Sequence, residues 1–433
     1  MVNPHQNITA KQFILKLVKD ELKGKEWIVK DELIIDSTVK FDKLHLKNIT
    51  FQEKVKIGYS TIQFGLFFEN CEFIKPVSID RLVCDAYSHN ENIENCNVLF
   101  SSCKVSYIHI SNQSEFLRDI IFKNKCEIEN LLITETKISS GGGIKLNDSS
   151  INNLLDLATI FGDIQISNSK IHTCRVASCT GNFSIVKSTF NDWVKIWNLE
   201  CPNSLIFNYN IFKDTVDIEG SRIKHLSIIG DTFQKKIKLE NRDTSNGLPT
   251  YLNELFIREA KFLEIGVFDG LGEQINKITI PNSPKFQGVL KIEKWKVGEL
   301  DVNGINQNLK LILSQIIVKR IFMIGFTNYG DITFERCSAD NTNFKTPLDL
   351  ESSIMLAHAD LGKTKFIEFD FNSFDFIAVD NSSINEIYTS NVTWFKEDKL
   401  KVQDPLDDKL KIAQRKREVY RQLKQSLRKM ETK

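Results

Sequence analysis

The chain has 433 residues, enough for two or three ordinary domains, and carries 57 Lys and Arg against 56 Asp and Glu. That balance excludes a globally basic nucleic-acid binder and a strongly acidic chain, so an electrostatic partner has to be sought locally. Thirty Phe beside only eight Pro and four Met is a skewed way of being hydrophobic. It suits an architecture that stacks rings and keeps most backbone donors in a ladder.

At the N-terminus charge interrupts every apolar stretch, so no export signal is read and the cytoplasm is the expected compartment. Nine Cys without any Cys-x-x-Cys agree with reduced, buried thiols. The most apolar stretch, Leu309 to Phe326, contains Lys310, Lys319 and Arg320 and is no membrane span. Thr9-Ala-Lys-Gln12 is a capping box, and Phe13, Leu15, Leu17 and Val18 continue it into a helix over 9–24. Residues 1–26 are therefore read as a helical cap, followed by strand-like Trp27 to Ile35.

The body, 27–395, repeats one pattern: an apolar residue, two variable ones, a small residue, one variable, and a second apolar residue. It reads Phe68-Glu-Asn-Cys71-Glu-Phe73, Phe100-Ser-Ser-Cys103-Lys-Val105 and Ile133-Thr-Glu-Thr136-Lys-Ile138. From Leu146 the copies continue at Ile166, Ile185, Phe207 and Ile228, in steps of 20, 19, 22 and 21, with one more copy at Ile218 half a step out. A period near 21 built from Ile, Phe, Val and Thr predicts stacked strand coils, since helical repeats need roughly 33–47 residues. The expectation is an all-β solenoid, a parallel β-helix of about 16–17 coils at about 21 residues each. Large apolar residues would fill its interior and small ones its corners, with Lys, Glu, Asn and Asp outside. The pattern skips around Cys84 to Asn90 and across Asn241 to Pro249, which reads as a protruding loop. It is least regular over 281–333.

Near the end of the body the period becomes five: Leu356, Leu361, Phe366, Phe371 and Phe376 are evenly spaced, with Ala359, Thr364, Phe369 and Phe374 two residues before the last four. This stretch resembles the bacterial pentapeptide-repeat family, in which a small residue precedes a central Leu or Phe by two. The resemblance implies a right-handed quadrilateral β-helix with four five-residue sides per coil. Phe369 and Phe374 depart from the small-residue rule. The helix at the start and the closing run Arg415 to Lys424 also resemble members of that family.

Residues 396–433 form a linker and a C-terminal basic amphipathic helix, Lys409 to Lys433. Ten Lys/Arg against Glu418 and Glu431 make this segment +8, which leaves −7 on the other 408 residues. Ala413, Tyr420, Leu423, Leu427 and Met430 form its apolar stripe. Arg417, Tyr420, Arg421, Leu423, Lys424, Leu427 and Arg428 are the candidate partner-binding residues, and the partner is another protein or a second copy of the chain. Nucleic acid and an anionic membrane rank below these, because one face alone is apolar and no Trp anchors it.

No catalytic, metal or cofactor constellation is read. The seven His, at 5, 45, 89, 109, 172, 225 and 358, are scattered singly. Gly141-Gly-Gly143 lacks the Lys-Ser/Thr of a phosphate loop and reads as a turn. Asp148, Asp156 and Asp163, or Asp214, Asp217 and Asp231, would align on neighbouring coils, which keeps open a glycan-binding or glycan-cleaving β-helix. A DNA-mimicking inhibitor, a role known in some pentapeptide-repeat proteins, would need an acidic stripe. Trp193 and Trp197 share one face of a strand and are expected in the core, with an outward stacking platform as the alternative. The expected function is a non-catalytic scaffold.

Overall fold

Ile, Val, Leu and Phe alternate with polar residues in runs of two to twelve, and each run forms a strand. Because consecutive copies lie about one coil apart, equivalent runs pair in parallel register. Leu46 faces Phe68, Phe68 faces Phe100, Phe100 faces Phe122, and the column continues through Leu146, Ile166 and Ile185. The chain is an all-β parallel solenoid of about 16 turns with a helix near each terminus. The computed structural model describes residues 6–431 except 20, 23–25, 40, 86–95, 140, 241–250, 282, 284, 304, 307, 329–330, 340–350, 385 and 403–407. The side chains of 305–306, 328 and 426–431 are also outside the description. Most of the skipped stretch around Cys84 to Asn90 and all of Asn241 to Pro249 therefore fall outside the described residues. Two compact units divide the chain, one of Met1–Ile206 with Asn210–Asp214, the other of Phe207–Tyr209 with Thr215–Lys433.

The first unit opens with a strand the sequence did not announce. Gln6–Ile8 pairs with Trp27–Val29, and helix α1, Ala10–Val18, lies between them. Thr9 and Gln12 form the expected reciprocal capping box. The helix ends earlier than the 9–24 span, at a C-cap on Lys19. Phe13 is fully buried and meets the ring of Phe51 edge-on at 5.9 Å, so α1 closes over the interior of the first coil.

Inside, rings stack from coil to coil. Phe68–Phe100 and Phe100–Phe122 lie 4.8 and 5.3 Å apart, and Phe51–Phe73 and Phe190–Phe212 4.8 and 5.0 Å apart. In the second unit Phe233–Phe262 and Phe334–Phe366 repeat the arrangement at 5.5 and 5.2 Å. Beside the rings runs a column of small polar residues. Cys71, Cys103 and Cys126 are continued by Ser149, Ser169, Ser188 and Asn210. The Ser169 hydroxyl accepts from the Ser149 N–H, that of Ser188 from the Ser169 N–H, and the Asn210 carboxamide oxygen from the Ser188 N–H. All nine cysteines are free and buried.

The motif's second variable position proves to be the corner. Asn48, Tyr59, Asn70 and Arg81, eleven residues apart, all have φ between 49° and 59°. Asp148, Thr159, Asn168, Ser178, Lys187 and Asn198 repeat this at nine to eleven residues. Each of these coils thus turns through two left-handed corners, one per half-coil, and the copy at Ile218 is the half-coil that turns at Gly220 (φ 51°). Over 358–391 corners recur every five residues: His358, Lys363 and Glu368, then Asn381, Glu386 and Asn391. There Ala359, Thr364, Phe369 and Phe374 are buried with Leu361, Phe366 and Phe371, and Phe369 and Phe374 stack at 6.0 Å. Strands Gln287–Glu293 and Leu309–Ser314, and Lys296–Val302 and Ile317–Ile324, pair in parallel within the stretch expected to be least regular. The triple glycine is a turn, with the Gly142 N–H donating to Ser139. A Cβ on Gly143 would lie 2.3 Å from the Asp163 carbonyl oxygen of the next coil.

Phe100→Ala empties one position of a ring column and is expected to cost about 3–5 kcal/mol in urea unfolding, with Phe100→Leu costing less than half of that. Thr159 is a β-branched residue at a left-handed corner, a conformation that costs an L-residue roughly 1–2 kcal/mol, so Thr159→Asn is expected to raise the urea midpoint. Burial pushes the Cys179 and Cys201 thiols up to about 11 and that of Cys337 up to about 12. Native protein at pH 8 is expected to leave all nine thiols unreacted with an aromatic disulfide reagent, and unfolded protein to titrate all nine.

Candidate functional site

Helix α2, Lys409–Glu431, begins at Asp408, whose carboxylate accepts the Leu410 and Lys411 N–H groups. It lies against the last turns of the second unit along one face. Among its described side chains Val419 is the buried one, at 7% exposure. Gln422 accepts the Ile384 N–H at 3.0 Å, Arg415 reaches Asp380 at 3.7 Å, and the Tyr420 ring lies 6.4 Å from Phe395. A cleft of about 490 Å³ runs between the helix and the coil, lined by Arg415, Glu418 and Gln422 on one side and Asn381, Ser383 and Val402 on the other. The Tyr420 hydroxyl is buried without a hydrogen-bond partner. Burial, with the carboxylates of Glu397 and Asp398, holds its pKa above the ordinary value.

The docking face differs from the apolar stripe read in the sequence. Ala413 is exposed, Tyr420 and Leu423 are half-buried, and the face runs through Ile412, Lys416, Val419 and Gln422/Leu423 at spacings of three and four. Counting large apolar side chains missed Arg415, Val419 and Gln422, because two of these dock through polar atoms. Arg417, Arg421 and Lys424 are exposed and follow one another at four and three residues, so they form one ridge on the far side of Val419. Arg421 grips Glu418 through both carboxylate oxygens, at 2.6 and 2.7 Å. That bond, with a second from Gln422, holds the Glu418 carboxyl down at about 2. The backbone places Leu427 and Arg428 on α2, and their side chains lie outside the described residues.

On the walls, outward charges pair from coil to coil. In the second unit His225, Glu254, Lys277, Glu299 and Arg320 stand in register on successive coils. His225 lies 3.0 Å from Glu254, Lys277 3.4 Å from Glu299, and Arg320 pairs with Glu299 as well. A column of acids also exists: Glu219, Glu240, Asp269, Glu293 and, past Ser314, Glu335. Lysines beside it answer three of these, Lys238 to Glu240, Lys294 to Asp269 and Lys291 to Glu293. Three of the six carboxylates singled out for alignment hold structure together: Asp156 grips Arg175, Asp163 accepts the Asn182 N–H, and Asp231 accepts the Ile229 N–H.

The expectation of Trp193 and Trp197 in the core is overturned. In Val194–Trp197 the inward side chains are Val194 and Ile196, so Lys195 and Trp197 point out, and Trp193 is 36% exposed. Val and Ile already fill the two inward positions of that side. Among the described residues no group of three or more His, Cys, Asp or Glu is placed to hold a metal ion, and no helix is long and apolar enough to cross a membrane. A scan against protein-family models, a search of curated proteins and a search of solved structures each return no match.

Proposed function

We propose that the chain is a non-catalytic interaction scaffold, a solenoid of pentapeptide-repeat type that engages an acidic protein surface, that of a second copy included, through helix α2. The observation that carries this reading is the one-sided anchoring of α2: Val419 and Gln422 hold the helix to the coil while Arg417, Arg421 and Lys424 face outward. A segment at +8 on a body at −7 supplies the charge complementarity for self-association. The five-residue corners over 358–391 support kinship with pentapeptide repeats for those turns. Nine buried free thiols favour a reducing compartment. Against a DNA mimic stands the pairing of the acidic column with Lys238, Lys291 and Lys294. Against a hydrolase stands the engagement of Asp156, Asp163 and Asp231 in the fold.

Sedimentation velocity tests the reading. At about 50 mM salt the chain is expected to form species larger than a monomer and at about 500 mM to dissociate, because exposed charges are screened within roughly 10 Å at 0.1 M. The triple variant Arg417→Glu, Arg421→Glu, Lys424→Glu is expected to stay monomeric at both, with an unchanged β spectrum. Association that survives the triple variant removes the ridge from the account.

A further inference from the structure

We propose that the outward face of one wall of the first unit, around Trp193 and Trp197, is a binding shelf for a neutral oligosaccharide. Four successive strands, Glu127–Ile138, Ser150–Phe161, Lys170–Ala177 and Val194–Trp197, build the wall in register. The strand Val194–Trp197, with Trp193 just before it, presents Trp193, Lys195 and Trp197 outward. Trp27 and Trp295, by contrast, are buried and donate their indole N–H groups to the carbonyls of Leu22 and Phe268. Trp197 follows Ala158 and Ala177 in one outward column, half-buried and buried respectively, so the indole is the one large side chain among these three. Trp193 stands one coil beyond Thr173.

The polar groups of the shelf are fixed in advance. Asp156, at 3% exposure, holds the Arg175 guanidinium through both oxygens. That guanidinium lies 5.9 Å from the centroid of the Trp197 ring, and the Lys195 ammonium lies 5.6 Å from it. The Thr173 hydroxyl donates to Asp192 at 3.0 Å. Two cations held at the Trp197 ring, with a second exposed indole at Trp193, suit a ligand with apolar C–H faces and many hydroxyls: the faces pack against the indoles, and the hydroxyls accept from Arg175 and Lys195.

Charge selects among such ligands. Arg175 and Lys195 are balanced by Asp156 and Asp192, so the shelf is formally neutral, whereas a nucleic acid needs cations in excess to release its counterions. Span selects the size. Trp193 and Trp197 are four residues apart, about 13 Å along an extended strand, which is longer than one sugar ring.

Isothermal titration of the full chain with cellohexaose, chitohexaose and mannohexaose tests the shelf, with hexagalacturonate and a twelve-residue thymidine oligonucleotide as charged probes. At least one neutral hexasaccharide is expected to bind, with affinity changing less than twofold between about 50 and 500 mM salt. Trp197→Ala and, as an independent variant, Trp193→Ala are each expected to weaken it at least tenfold with the β spectrum kept. The charge-reversed α2 ridge is expected to leave it unchanged, which separates this outcome from the scaffold test. The proposal is overturned if no neutral hexasaccharide binds, if only a charged probe binds and salt abolishes it, or if neither Trp variant affects binding.

Discussion

Parallel strands held in register one coil apart set the chemistry of every other part of this protein. With strands about 4.8 Å apart, a side chain's nearest neighbours in space are the residues about 21 positions before and after it, and each position of the repeat becomes a column. An inward Phe meets other Phe, as in Phe68–Phe100–Phe122. A small residue beside a corner meets other small residues, as in Ser149–Ser169–Ser188. An outward charge meets whatever its column holds. Like charges at this spacing repel, and the sequence answers in two ways: alternation of sign, as from Glu254 to Arg320, or a lysine two residues away, as beside Glu240 and Glu293.

The ring and small-residue columns were legible because they depend only on the spacing of residue types. The capping box at Thr9 and Gln12 was legible for the same reason, being a local pattern. The two-corner coil was harder to read. Its signal lies in the backbone of Glu135, Thr159 and Lys187 as well as of Asn70 and Asp148, and the left-handed conformation leaves no mark in a side chain that is merely tolerated there. Strand Gln6–Ile8 was missed because three residues carry too little periodicity, and its reason for existing is the unpaired edge of Trp27–Val29. At the candidate site, the basic ridge of α2 followed from charge alone, whereas its docking face depended on Gln422 meeting the Ile384 N–H, a tertiary event. The outward placement of Trp193 and Trp197 was a choice between two faces of one strand, which even spacing cannot decide.

Helix α2 joins two demands. A stack of strands ends in unpaired N–H and C=O groups that invite further chains, and a helix laid beside the last turns obstructs such addition. The same helix carries a charge opposite to that of the body. Covering the end and presenting a cationic ridge use different faces, so the first is anchored by Val419 and Gln422 while the second remains open to solvent.

The left-handed corners also govern how a gene of this kind changes length. Within a long side the side chains alternate in and out, so losing one codon there turns the rest of that side inside out and breaks every column it belongs to. Removing or duplicating a whole turn rejoins Phe to Phe and serine to serine, and extra residues placed at a corner leave both flanking sides in phase. Such a lineage is expected to drift in steps of whole turns and to gather its insertions at the bends, where Gly220 and Asn198 already reverse the chain.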